Sequence, residues 1–177
     1  MDDKILKKSQ ALIEKYGTRD PFEIAERLGY YVRPINTRRQ KGFCKILLDN
    51  YFIFINVNLS PQMRRMTCAH ELGHLLLHKD TLRKDIYFAE MELFDITDRR
   101  ELEANQFAAS LLISDEELLQ VLQEGHDVVA AASILDVNVN LLMVKLLTMN
   151  QYGYEFDLPF FPKAEFMGTI GDSTDLI

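Results

Sequence analysis

Residues 66–78 read Met-Thr-Cys-Ala-His-Glu-Leu-Gly-His-Leu-Leu-Leu-His, and the placing of His70, Glu71 and His74 in that run decides how the chain is read. Ser60 followed by Pro61 marks a helix start, because serine can cap free amides and proline suits the first turn. The helix is expected to run to about His78. Residues four apart lie on one helical face, so His70 and His74 can offer imidazole nitrogens to a single metal ion. Glu71 is rotated by about 100° from His70, which sets its carboxylate beside such a metal rather than on it, where it can take a proton from water. Thr67, Cys68, Ala69, Leu72, Leu75, Leu76 and Leu77 make the surroundings largely apolar, where unpaired polar groups are costly. One zinc ion is expected, with satisfied core histidines as the plainer alternative. Gly73 costs a helix about 1 kcal/mol relative to alanine, so a close backbone approach by another segment is expected there.

A hydrolytic zinc needs a third protein ligand and one open position. The helix expected over Arg99 to Ile113 contains Glu101 and Glu103, which are two residues apart and point to nearly opposite sides. Glu101 shares a face with Asn105 and lies roughly one turn from Ala104 and two from Ala108, small residues that permit a close approach to the first helix. Glu101 is therefore the expected third ligand; its plainer role is to complete a capping box with Asp98. Asn105 is then expected to hold a ligating histidine by a hydrogen bond. His78 stands about 12 Å along the helix from His70, too far to share one small ion with it, and is expected to line the site or cap the helix end. Cys68 points away from His70, His126 reads as a loop histidine, and no second Glu-x-x-His is present to build a di-iron site.

His70-Glu71-Leu72-Gly73-His74, followed by Glu101-x-x-Ala104-Asn105-x-Phe107-Ala108-Ala109-x-Leu111-Leu112, resembles the ImmA/IrrE family of metallopeptidases over roughly residues 20 to 125. The resemblance implies a zincin-like core with His70, His74 and Glu101 as metal ligands. It also implies a protein substrate, a helix-turn-helix repressor of a mobile element or stress response. The family often has Leu-Leu-Met-Pro where this chain has Leu111-Leu112-Ile113-Ser114. That exchange alters how the next helix begins and leaves the metal ligands untouched.

Around the two motif helices, the expected fold class is α+β, mostly helical with a small antiparallel sheet. Helices are expected over residues 3–16 and 22–28, each closed by a glycine, and Tyr30-Tyr31-Val32 has strand character. Phe43 to Leu48 and Tyr51 to Val57, joined by Asp49-Asn50, read as a hairpin. Residues 79–97 mix Ile86-Tyr87-Phe88 and Met91-Leu93-Phe94 with charges and are expected to form a loop near the active site. Ser114 with Glu117 reads as a capping box for a helix to about Gln123. Two further helices, 127–135 and 139–149, form a helix-turn-helix-like pair. Residues 1–125 are expected to form the metallopeptidase core, and 126–177 a helical segment and tail packed on it.

The formal net charge of −7, from 27 acidic and 20 basic side chains, argues against nucleic acid or anionic lipid as the main partner. In the segment 114–150, Asp115, Glu116, Glu117, Glu124, Asp127 and Asp136 stand against Lys145 alone, so the helix pair reads as packing scaffold. The basic cluster Arg33, Arg38, Arg39, Lys41 and Lys45 reads as a solvated loop. No apolar run nears the roughly 18 residues of a membrane span, and Met1 to Lys8 is charged, so a cytoplasmic protein with reduced Cys44 and Cys68 is expected. The expected activity is zinc-dependent hydrolysis of a peptide bond in a protein, with Glu71 as general base. A non-catalytic zinc-containing module that binds a regulatory partner is the alternative. Glu71 weighs against it, because a structural zinc prefers four closed ligands and needs no base.

Overall fold

The computed structural model describes residues 4–38, 40–88 and 97–158. The chain begins with two helices, α1 (Lys4–Tyr16) and α2 (Pro21–Arg27), followed by three strands, β1 (Tyr31–Ile35), β2 (Gly42–Leu47) and β3 (Asn50–Asn56). Six helices follow: α3 (Pro61–Leu77), α4 (Lys79–Phe88), α5 (Thr97–Leu112), α6 (Asp115–Gln123), α7 (Val128–Ile134) and α8 (Val139–Asn150). This is the mostly helical α+β composition expected. Several helix starts follow from their capping residues. Asp20 accepts from Phe22 N at 2.8 Å, and Ser60 Oγ accepts from Met63 N at 3.2 Å with Pro61 in the first turn. Ser114 departs from the expected capping box: its hydroxyl donates to Glu116 at 2.9 Å and caps no amide.

The sheet runs in the order β1-β3-β2. β2 and β3 form the expected antiparallel hairpin, but β1 lies parallel to β3, from Tyr31 opposite Phe52 to Ile35 opposite Asn56, so the sheet is mixed and not antiparallel. The buried Asn56 side chain holds the crossing segment between β1 and β2, donating to the carbonyls of Thr37 at 2.7 Å and Gln40 at 2.9 Å. The hairpin turn also sits one residue earlier than expected. Leu47 pairs with Asn50, and Leu48 and Asp49 form the turn at φ 48° and 58°, a primed geometry that matches strand twist. Asn50 supports it by donating to the Leu48 carbonyl at 2.9 Å.

Residues 79–88 are helical, not a loop; the His78 carbonyl receives the amides of Thr81 and Leu82 and starts that helix. Met91, Leu93 and Phe94, like Arg39 and the tail with Pro159 and Pro162, lie outside the described residues. α3 crosses the inner face of the sheet and packs along α5. Ile46, Ile53 and Ile55 of the sheet, Leu72 and Leu75 of α3, Phe107 and Leu111 of α5 and Leu141 and Leu142 of α8 join one apolar cluster. Each such side chain contributes on the order of 1.5–3 kcal/mol by leaving water. Leu102 of α5 is exposed. The outer sheet face carries stacked pairs, Tyr31 on Phe52 at 5.2 Å and Phe43 on Phe54 at 4.6 Å, which tie the strands together across the ladder. α7 and α8 meet at 108°, and no single helix among the described residues is long and apolar enough to cross a membrane.

Candidate metal centre

A Cβ on Gly73 would lie 3.2 Å from Cα and the carbonyl oxygen of Ala104 and 3.1 Å from the Phe107 ring. Glycine thus lets α3 and α5 touch backbone to backbone, the close approach expected at this point. The contact brings Glu101 over the two motif histidines. Its Oε2 lies 3.2 Å from His70 Nε2 and its Oε1 3.2 Å from His74 Nε2, while the two imidazole nitrogens are 3.0 Å apart. These three residues form the group able to hold a metal ion, with ligand atoms within 4.8 Å of one another. Glu103 turns elsewhere: it pairs with Arg99 at 2.8 Å and stands 3.8 Å from His78.

The residues fit a zinc ion. Two imidazole nitrogens and a carboxylate oxygen are the donor set zinc accepts. Nδ1–H of His70 donates to Asn105 Oδ1 at 2.8 Å, which leaves the Nε2 lone pair directed at the cluster. Glu101 Oε2 is closed off from solvent and makes no hydrogen bond of good geometry. Such an oxygen is costly without a counter-charge. Burial works to lower the His70 value, but the Glu101 and Glu71 carboxylates and Asn105 outweigh it and raise the value. Burial likewise works to raise Glu101, and the two histidines hold it well below the ordinary carboxylate range.

A cleft of about 300 Å³ opens over the group, with His70, Glu71, His74 and His78 of α3 facing Gly42 and Cys44 of β2, and Arg100 and Glu101 of α5 closing the side. Leu82 of α4 reaches it as well. β2 comes this close because Gly42 has no side chain: a Cβ there would meet Thr67 Cγ2 at 2.6 Å and the Phe54 carbonyl at 2.7 Å. Thr67 and Glu71 are one turn apart on α3, and Gly42 and Cys44 share one face of the strand. Seating Gly42 on Thr67 therefore sets Cys44 toward Glu71, and both line the cleft. Burial first, then the Glu71 charge, raises the Cys44 thiol well above its ordinary value, so it stays protonated.

Cys44 was missed as a site residue, although the alternation of Gly42, Cys44 and Ile46 on the inner face could have found it. His78 sits at the C-cap of α3, lines the cleft, and donates from Nε2 to the Arg100 carbonyl at 3.2 Å. Burial and the neighbouring His74 lower its value. His126 is exposed and lies 3.7 Å from Glu124, apart from the cleft.

A family model for the IrrE N-terminal-like domain (Peptidase_M78) matches residues 25–146, which include every residue of this cluster. The chain belongs to the ImmA/IrrE family. Over 107 residues it is 40% identical to "Uncharacterized immunity region protein 2" of Bacillus phage phi105, and over 117 residues 31% identical to "Metallopeptidase ImmA" of Bacillus subtilis (strain 168). These matches cover 60% and 65% of this chain and 66% of each relative, so the chain spans just under two thirds of the length of the proteins it matches.

Proposed function

We propose that the chain is a zinc-dependent endopeptidase with a zincin-like core, in which His70, His74 and Glu101 hold one ion and Glu71 is the general base. The observation that carries this reading is the convergence of two imidazole nitrogens and a carboxylate whose Oε2 is buried, makes no hydrogen bond of good geometry and lies 3.2 Å from His70 Nε2, beside a second carboxylate in the same cleft. A zinc ion held there supplies positive charge that polarises a peptide carbonyl and acidifies a water molecule. Glu71 takes a proton from the attacking water and passes it to the leaving amine, so the C–N bond breaks and one water is consumed. Asn105 fixes the ring of His70, the Cys44 thiol lines the cleft with Glu71, and His78 ties the end of α3 to α5 at the edge of the cleft.

The substrate is a protein, a helix-turn-helix repressor of a mobile element or stress response; that one relative is a phage immunity region protein and another a metallopeptidase supports a protein substrate tied to immunity. The protein acts in the cytoplasm, on protein and not directly on nucleic acid, a reading that the net charge of −7 supports. The test is a Glu71→Gln variant incubated with such a repressor, followed by mass spectrometry of the fragments. The variant is expected to keep its metal and cleave about 10²- to 10⁴-fold more slowly. Cleavage at the wild-type rate overturns the assignment of the base. Wild-type protein that binds the repressor and leaves it whole supports the alternative, a non-catalytic zinc-containing binding module.

A further inference from the structure

Six residues before His70, at the start of α3, a second cleft opens between α2, β1 and the end of β3, and it shares no lining residue with the metal cleft. Its volume of about 350 Å³ lies in the range of small-molecule sites. Phe22, Val32, Ile55 and Val57, with two prolines, make the walls apolar. Among the described residues, the charged ones lining it are Arg33 and Arg64, in a chain whose net charge is −7.

The two arginines differ in what they already do. Arg33 donates to the Val32 carbonyl at 3.3 Å and lies over the Tyr31 ring at 5.3 Å. Arg64 makes no hydrogen bond or ion pair with its side chain among the described residues, and its Nε is closed off from solvent with no acceptor. The adjacent Arg65, by contrast, reaches Asp136 at 3.5 Å. The guanidinium fork matches a carboxylate. The first turn of α3 adds the partial positive charge of a helix start.

We propose that this cleft binds a small organic acid, a carboxylate carried on an apolar body, with the acid group on Arg64 and the body between Phe22 and Val57. A free molecule fits better than an added peptide strand. β1 is an edge strand, but Pro34 lacks an N–H and interrupts any ladder built on it.

The probe is octanoate, titrated calorimetrically into the full chain, with 1-octanol as its uncharged counterpart. One octanoate per chain is expected, with 1-octanol and the Arg64→Gln variant each weakening binding by about tenfold or more. Arg65→Gln and His74→Ala are expected to bind as wild type, the latter because octanoate on the metal centre would be lost there. The octanol comparison needs no variant and stands even where Arg64→Gln fails to fold. Equal binding of octanoate and octanol, binding unaffected by Arg64→Gln, or loss in His74→Ala overturns the proposal. So does tighter binding of the acidic peptide acetyl-Leu-Glu-Phe-amide than of octanoate.

Discussion

Asn105 Oδ1 receives the Nδ1–H of His70 at 2.8 Å, and both side chains are closed off from solvent. The bond fixes which nitrogen of the ring faces the cluster and how the ring is turned. Asn105→Ala is expected to lower zinc affinity about 10- to 100-fold, read by competition with a chromophoric chelator. Asn105→Asp, which keeps the acceptor, is expected to retain most of it. Unchanged affinity in the alanine variant would show that the ring is held by packing alone.

Gly73 and Gly42 set the two approaches on which the cleft depends. Gly73→Ala must part α3 from the Ala104 backbone, which a Cβ would meet at 3.2 Å. A loss of about 1–3 kcal/mol in urea unfolding is expected, together with weaker zinc binding as Glu101 moves away. Gly42→Ala, against Thr67 Cγ2 at 2.6 Å, is expected to cost a similar amount and to lift Cys44 from Glu71. Wild-type stability in both variants contradicts the account of these contacts.

Metal and proton compete for the same nitrogens. In the metal-free protein, Glu101 contributes stability that is present above the ordinary 4.5 and lost as pH falls through its lowered folded value. His70 contributes stability that is present below the ordinary 6.5 and lost as pH rises through its raised folded value. Zinc requires the unprotonated ring, so the gain in melting temperature on adding zinc is expected to be larger near pH ~7.5 than near pH ~5.5. A gain independent of pH in scanning calorimetry would remove His70 from the ligand set.

The site was more legible in the sequence than the sheet that supports it. His70, Glu71 and His74 lie on one continuous helix with its own start signals, and the choice of Glu101 over Glu103 needed only helical periodicity and the small residues Ala104 and Ala108. The parallel pairing of β1 with β3 depends on Asn56 holding Thr37 and Gln40, contacts 19 and 16 residues apart that no local pattern carries. Composition favoured Asp49-Asn50 for the turn, yet register placed Leu48, almost fully exposed, at positive φ. Cys44 is far from the histidines in sequence, and only strand alternation brings it into the cleft beside Glu71. Charges interrupt the apolar fragments of 79–88 and hide a helix that continues from His78.

The claim on which the rest depends is that the metal site is closed by Glu101 from α5, which sits 3.2 Å from each motif histidine. Metal analysis of purified wild type beside Glu101→Ala and Glu103→Ala tests it most directly. About one zinc per chain is expected in wild type and in Glu103→Ala, with little or none in Glu101→Ala. Full zinc in Glu101→Ala, or loss only in Glu103→Ala, would contradict the proposed centre.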